Sequence, residues 1–386
     1  MDVINLVISD SENRYRILRP IGTWGPDFSL IVYEVLVIDS ENKASRAAFK
    51  MIKETDDLHE MVVDDVNRSL RLGSDRGCRY ILPIISAFYS QIRDDITLCI
   101  VLYYDSHVVS LRSLLSTNPD ITDGLHDKFL RIVLVRVLKA LRKIHKNYNH
   151  HMQITAGNIF YNAQTDTIQL AYAASVYERY PTSNDGNLFS VNKMLSWALA
   201  PEVIDEEAME FVYFYNTNKS DIWLLGIAAL ELAYGKIPVE SRKELLEIAR
   251  YVSEVKILPN SWEALRQKTA ELIADRAMPP KKRKFASTSQ ASNNALSTEM
   301  EKRLSVCFGN FVAACLDADL DKRASAKQLK RHGFRKKNAG SMQHFRDVIV
   351  KEKNPHVARL FSVKPKRKLE KMEKKQIPKS PLGPRS

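Results

Sequence analysis

Cysteine is scarce in this chain: only Cys78, Cys99, Cys307 and Cys315 occur among 386 residues, without metal-ligand spacing. That excludes a disulfide-stapled scaffold and a thiolate zinc site, and it predicts reduced thiols in apolar surroundings. Long apolar runs are also missing. None approaches the ~18 residues needed to span a bilayer, and the start, Met1-Asp2-Val3-Ile4-Asn5, has no basic leader region. A cytoplasmic protein without a membrane span is expected. His150 and His151 have no cysteine or carboxylate at matching spacing, so no metal is expected either. The basic clusters lack interleaved aromatics, which argues against single-stranded nucleic acid bound by stacking and predicts no specific nucleic-acid partner.

What is present is a basic chain with enough apolar content for a sizeable core: net charge +12 and 45% hydrophobic residues. The charge is unevenly placed. From Lys351 to Ser386 there are 12 basic residues against three acids, a net of +9, so most of the excess is a tail. A second cluster, Lys281-Lys282-Arg283-Lys284, precedes a Ser/Asn-rich stretch. It reads either as a solvated loop or as a nuclear-import or acidic-partner patch.

His151-Met152-Gln153-Ile154-Thr155-Ala156-Gly157-Asn158-Ile159-Phe160 resembles a protein-kinase catalytic loop with Gln153 at the catalytic aspartate. That aspartate accepts the proton of a substrate hydroxyl, and an amide has no basic lone pair for it. Thr155 replaces the lysine that steadies the transferred phosphoryl group. Asn158, the position of a second-magnesium ligand, is retained. Thr167-Ile168-Gln169-Leu170-Ala171 has strand character and leads into Tyr172-Ala173-Ala174, where Asp-Phe-Gly would stand. Tyr172 offers a divalent ion no charge near neutral pH. Base and magnesium ligand are both lost, so no catalytic residue is assigned.

The rest of a large kinase lobe follows in order. Ala200-Pro201-Glu202 matches the end of an activation segment. Lys219-Ser220-Asp221-Ile222-Trp223-Leu224-Leu225-Gly226 matches the central helix, apolar on nearly all sides as a buried helix should be. Asp221 is expected to hold the catalytic-loop backbone. Arg323, in Asp321-Lys322-Arg323-Ala324, is expected to form a buried pair with Glu202.

The small lobe is more altered. Arg14 to Gly22 alternates as a strand, but only Gly22 and Gly25 remain of a glycine-rich phosphate loop, and Pro26 removes a backbone donor. Lys50, in Ala47-Ala48-Phe49-Lys50, matches the phosphate-contacting lysine. Its usual glutamate partner is absent from residues 65–69, and Arg68 falls near that position. Lys50 therefore reads equally as a nucleotide contact or as a solvated strand lysine.

Four details resemble one branch of these proteins, the Ste20-related adaptors or STRAD pseudokinases. They are the stretched loop Ile21–Phe28; His59-Glu60-Met61-Val62; the helix Val135 to His145; and Phe189-Ser190-Val191-Asn192-Lys193-Met194-Leu195-Ser196-Trp197 in the activation segment. The resemblance covers residues 14 to 337. It implies an α+β, two-lobed kinase-like fold: a β-rich N-lobe over 14–104 and a helical C-lobe over 105–337, with a basic insertion at 276–298. Residues 1–13 would be an extension, and 338–386 a flexible basic tail.

The resemblance also implies function. An inactive kinase frame would act as adaptor and allosteric activator of an active serine/threonine kinase of the polarity or energy-sensing type. Docking is expected over Tyr177–Leu199, with Tyr180, Phe189 and Trp197 beside Tyr177 as aromatic anchors, or with Trp197 and Phe189 packing the large lobe instead. ATP bound without turnover would meet Gly22, Gly25, Lys50 and Asn158. Relatives often carry a Trp-Glu-Phe terminus that docks on a helical-repeat scaffold of the mouse-protein-25 class; this chain ends Ser380 to Ser386 without it. Two other readings remain: a weakly active atypical kinase using Lys50 and Asn158, and a passive scaffold binding no nucleotide.

Overall fold

The computed structural model describes residues 3–25, 30–74, 79–104, 108–146, 150–163, 165–179, 197–205, 210–211, 217–277, 304–336 and 341–350. Its N-terminal part is a sheet built from β1 (Val7–Ser9), β2 (Asn13–Trp24), β3 (Leu30–Asp39) and β4 (Ala44–Lys53), then, beyond β5 (Ile81–Leu82), β6 (Ser86–Ile92) and β7 (Asp95–Leu102). The spatial order is β1-β2-β3-β4-β7-β6. Side chains alternate across a strand, and β4 shows the consequence. Ala47 and Phe49 pack with Tyr15, Ile17, Val35 and Cys99 on one face. Ala48 and Ile52 pack on the other with Val32, Leu98 and Ile100.

That second face is covered by helix α1 (His59–Ser74), whose Val62 and Val66 lie one turn apart and join the same apolar cluster. The helix thereby stands beside the site that the lobes form between them.

The larger part is helical around one small sheet. β8 (Val108–Ser110), β9 (Ile159–Asn162) and β10 (Thr167–Ala171) pair in the order β5-β10-β9-β8, so β5 joins this second sheet and links the two lobes. Helices α2 (Leu111–Thr117) and α3 (Asp127–Lys146) precede the catalytic-loop segment. α4 (Asn218–Tyr234) runs through the centre and is buried from Ser220 to Tyr234. Thr217 starts α4 with a capping box shared with Ser220, and Gly235, at φ +80°, ends it. A Cβ there would collide with the Thr122 carbonyl. The helices Arg242–Val255, Trp262–Ala277 and Val306–Cys315 complete the lobe.

Two expected boundaries shift. The segment 1–13 is not outside the fold: β1 pairs with β2, and Val3 and Ile8 are buried in the outer small-lobe cluster. The helix Trp262–Ala277 ends where the basic insertion is expected to begin, at about 276, and Arg276 in its last turn pairs with Glu254. The tail does not begin at 338: residues 341–350 form a short helix and a π-helical turn on the large lobe. Phe345 is fully buried, with its ring 5.7 Å from Phe129 and 6.1 Å from Tyr161. Asn118 Nδ2 donates to the Ile349 carbonyl at 3.1 Å. The net basicity lies beyond 341–350, in residues 351–386, while this segment carries an apolar pair, Phe345 and Ile349, four residues apart.

Among the described residues no helix is long and apolar enough to cross a membrane. Phe345→Ala should cost about 3–5 kcal/mol of stability, as for other fully buried aromatic side chains. Urea unfolding measures this, and an unchanged midpoint would return residues 341–350 to the tail.

Candidate functional site

The catalytic-loop segment hangs from α4. Asp221 is fully buried; its Oδ2 accepts from His145 Nε2 and the His151 amide, and its Oδ1 from the Met152 amide, each at 2.8 Å. Burial alone would raise its carboxyl pKa, but the hydrogen bond and charge of His145 outweigh it and hold the pKa below the ordinary range. Met152 sits at φ +67°, a left-handed conformation unusual for its type, and the Asp221 bonds on both adjacent amides fix it there.

His151 is buried, and burial shifts its pKa downward, toward the neutral ring. Its Nε2 faces the Ala171 carbonyl and must carry the proton, so Nδ1 accepts from the Gln153 amide at 3.3 Å.

Glu231, which no sequence motif marked, holds the other end of the loop. Its Oε2 accepts from the Ala156 amide at 2.9 Å and its Oε1 from Arg112 Nε at 2.6 Å. The available signal was a lone acid in the apolar run Ala228-Ala229-Leu230-Glu231-Leu232. Asn158 Nδ2 donates to the Gln153 carbonyl at 3.0 Å. Asn158 Oδ1 and Thr155 Oγ1 are buried without a hydrogen-bond partner among the described residues. Gln153 thus contributes its backbone to the loop's frame.

Tyr172 is 1% exposed and meets His151 edge-on at 6.2 Å. Burial, then the Asp65 charge, pushes its phenol pKa up to about 12, against the charge of Arg68. It is a neutral core side chain at physiological pH.

Lys50 is enclosed by the fold. It is 1% exposed, which overturns the solvated-lysine reading. Its Nζ donates to the Ala174 carbonyl at 3.0 Å and to the Val176 carbonyl, and it lies 4.4 Å from the Trp24 ring centroid. Burial lowers its pKa to about 7, and the Asp65 charge opposes that fall. Asp65, on α1, is therefore the acid facing Lys50, and burial lifts its own pKa to about 6. Arg68 sits 3.6 Å from Asp65 and 3.3 Å from Asp64.

Gly22 lies within β2, opposite Val32 on β3, and Gly25 follows that strand at φ +93°. Beyond the helical turn Ala173–Ser175, strand β11 (Glu178–Arg179) pairs antiparallel with β2, Glu178 opposite Thr23 and Arg179 opposite Gly22. The strand that should cradle phosphates is zipped to the chain's own activation segment.

The far end of that segment is anchored on the large lobe. Arg323 is fully buried and pairs in two-pronged fashion with Glu202, Nη1 to Oε1 at 2.6 Å and Nη2 to Oε2 at 2.9 Å. The Arg323 guanidinium also stacks 5.0 Å over Trp223, and Ser220 Oγ donates to Glu202 at 2.9 Å. Burial would raise the Glu202 pKa, but Arg323 brings it down below the ordinary value. Trp223 Nε1 donates to the Ala198 carbonyl, and Arg242 Nη1 to those of Trp197 and Leu199.

Of the expected docking anchors, Tyr180 and Phe189 lie outside the described residues. Tyr177 is corrected: it is 5% exposed and belongs to the small-lobe core with Ile21, Trp24 and Tyr104. A ring following the apolar Ala174 and Val176 found a core position rather than solvent. Trp197 is half-buried and packs against the large-lobe core, the second of its two readings.

Residues 32–335 match the protein kinase domain family, and the chain belongs to it. Within that family the similarity runs to the Ste20-related adapters. The chain is 26% identical over 224 residues to "STE20-related kinase adapter protein beta" of Homo sapiens, covering 55% of this chain and 51% of that protein. It is 28% identical over 231 residues to "STE20-related kinase adapter protein alpha" of Gallus gallus, covering 55% of each. "Serine/threonine-protein kinase sid1" of Schizosaccharomyces pombe is 26% identical over 230 residues, 60% of this chain and 38% of that one. The chain thus spans about half or less of these relatives.

Arg323→Met would strand the Glu202 carboxylate and should cost roughly 3–5 kcal/mol. The lowered Glu202 pKa gives a sign: the pair's contribution is fully present above the unfolded carboxyl value of 4.5 and is lost as pH falls through the lower folded value. The gap between wild type and variant should therefore narrow in acid, as urea midpoints at graded pH would show.

Lys50 has the opposite sense. Between about 7 and its ordinary 10.5 the unfolded chain holds the extra proton, so its contribution to stability rises with pH. Lys50→Met should remove that rise from the melting-temperature profile. An unchanged slope would show that the amine is not buried as the structure has it.

Proposed function

We propose that the chain is a catalytically silent kinase-like adaptor that binds an active serine/threonine kinase and biases it toward its active conformation. The observation that carries this is Tyr172. The position that should present a carboxylate to magnesium holds a buried neutral phenol, while Gln153 stands where a general base is needed. The relatives named as kinase adapters support an adaptor role, and so does the retained frame around Asp221 and the Glu202–Arg323 pair.

A rigid frame is what such an activator requires. A partner's equilibrium shifts only by the difference in how well its two states fit the surface offered. The large-lobe end of the activation segment, pinned by Trp223, Arg242 and Arg323, offers that surface. The reading extends to a partner of the polarity or energy-sensing type and to growth signalling. It includes ATP held without turnover, a cytoplasmic location, and nuclear entry through Lys281 to Lys284; that cluster lies outside the described residues.

Two assays test the reading. Radiolabelled ATP with the purified chain and a generic protein substrate should give no transfer above background. A co-purified partner kinase should gain kcat/KM when the chain is added at equal concentration. Phosphate transfer by the chain alone, abolished in Lys50→Met, would overturn the reading, and so would a bound partner whose rate does not change.

A further inference from the structure

In a kinase frame the nucleotide enters between the glycine-rich strand pair and the large lobe. Here the groups lining that entrance are engaged with one another. Lys50 spends donors on the Ala174 and Val176 carbonyls. Trp24, at the end of β2, lies over the same ammonium. Ala174 and Tyr177 are buried in one apolar cluster with Ile21, Trp24, Val32, Ala48 and Leu102. β11 then adds to the edge of β2 at Gly22 and Thr23. Three kinds of contact therefore hold the segment Ala173–Arg179 against the small lobe: hydrogen bonds, apolar burial and strand pairing.

The closed arrangement also carries a cost. Trp24 Nε1 is buried without a hydrogen-bond partner among the described residues. A buried unpaired donor opposes the state that buries it. Closure is thus a balance that a ligand or partner can tip.

We propose that Ala173–Arg179 is a latch, a self-supplied occupant of the cleft that must leave Lys50 and β2 before a nucleoside triphosphate can enter. The inference stands on the cleft's own contacts and holds whether or not the chain stimulates another kinase. The latch leads directly into the activation segment, so release does two things together: it uncovers Lys50 and detaches the segment's N-terminal end from the small lobe. A nucleotide that favours the released form and a partner that favours it would each strengthen binding of the other, by linkage.

The test is a fluorescence titration of the full chain with the mant derivative of ATP, paired with hydrogen exchange over residues 173–179. Tyr177→Ala removes a buried ring from the latch without touching the cleft lysine. It should raise exchange there and tighten mant-ATP binding about tenfold or more, because apparent affinity scales with the fraction of competent molecules.

A second variant, Thr23→Cys with Glu178→Cys, does not depend on a destabilised fold. Facing positions on an antiparallel pair lie about 4.5–5.5 Å apart at Cα, within disulfide reach. Oxidised, it should bind mant-ATP about tenfold more weakly than when reduced, and dithiothreitol should restore binding. Three results would each overturn the proposal: equal affinity of the oxidised and reduced forms, wild-type binding with residues 173–179 still fully protected, or a folded Tyr177→Ala that exchanges faster yet binds no better. Should Tyr177→Ala not fold, the cysteine pair decides alone.

Discussion

A carboxylate removed from water has to be given donors, and in this chain Asp221 takes them from the backbone of the catalytic loop. Everything near the cleft inherits its position from that requirement. The left-handed Met152 and the path of the chain toward Gln153 follow from two amides that must point at one buried anion. Glu231 repeats the device at Ala156, from the same helix. None of these bonds involves a group that does chemistry. A frame built this way depends on no catalytic residue, because the debt it settles is one of desolvation.

In the cleft the charged groups are satisfied from within the chain. Lys50, Asp65, Arg68 and Tyr172 remain together, but their interactions turn inward, toward carbonyls, a ring and one another. The low dielectric that would sharpen a catalytic site here holds the lysine close to neutrality and the tyrosine fully protonated. Trp24 and Tyr177 beside them belong to the small-lobe core.

Much of the large lobe was legible in sequence because its motifs are short and carry their own physical reason. An aspartate at the start of an apolar helix must be spoken for, and an arginine more than a hundred residues from Glu202 could be paired with it by order along the chain alone. Other features had no such local mark. Tyr177 reads as an exposed aromatic until the fold brings Trp24 and Tyr104 around it. Lys50 was legible as a position, but its partners are two carbonyls over 120 residues away, and carbonyls have no sequence signature. The basic stretch that follows drew 341–350 into the tail, and shortness hid β1. Glu231 escaped because one acid in an apolar run forms no pattern.

Tyr172 has one more consequence, and it concerns what the position tolerates. Placing an aspartate there would set a second carboxylate into the buried space beside Asp65, where burial already disfavours one. It would also leave a void the size of the lost ring. An aspartate is the wrong shape and the wrong charge for this position as the fold surrounds it. One substitution to a carboxylate would therefore not make a stable anionic site here; the neighbouring residues would have to change with it, because the position is fitted to a bulky neutral side chain.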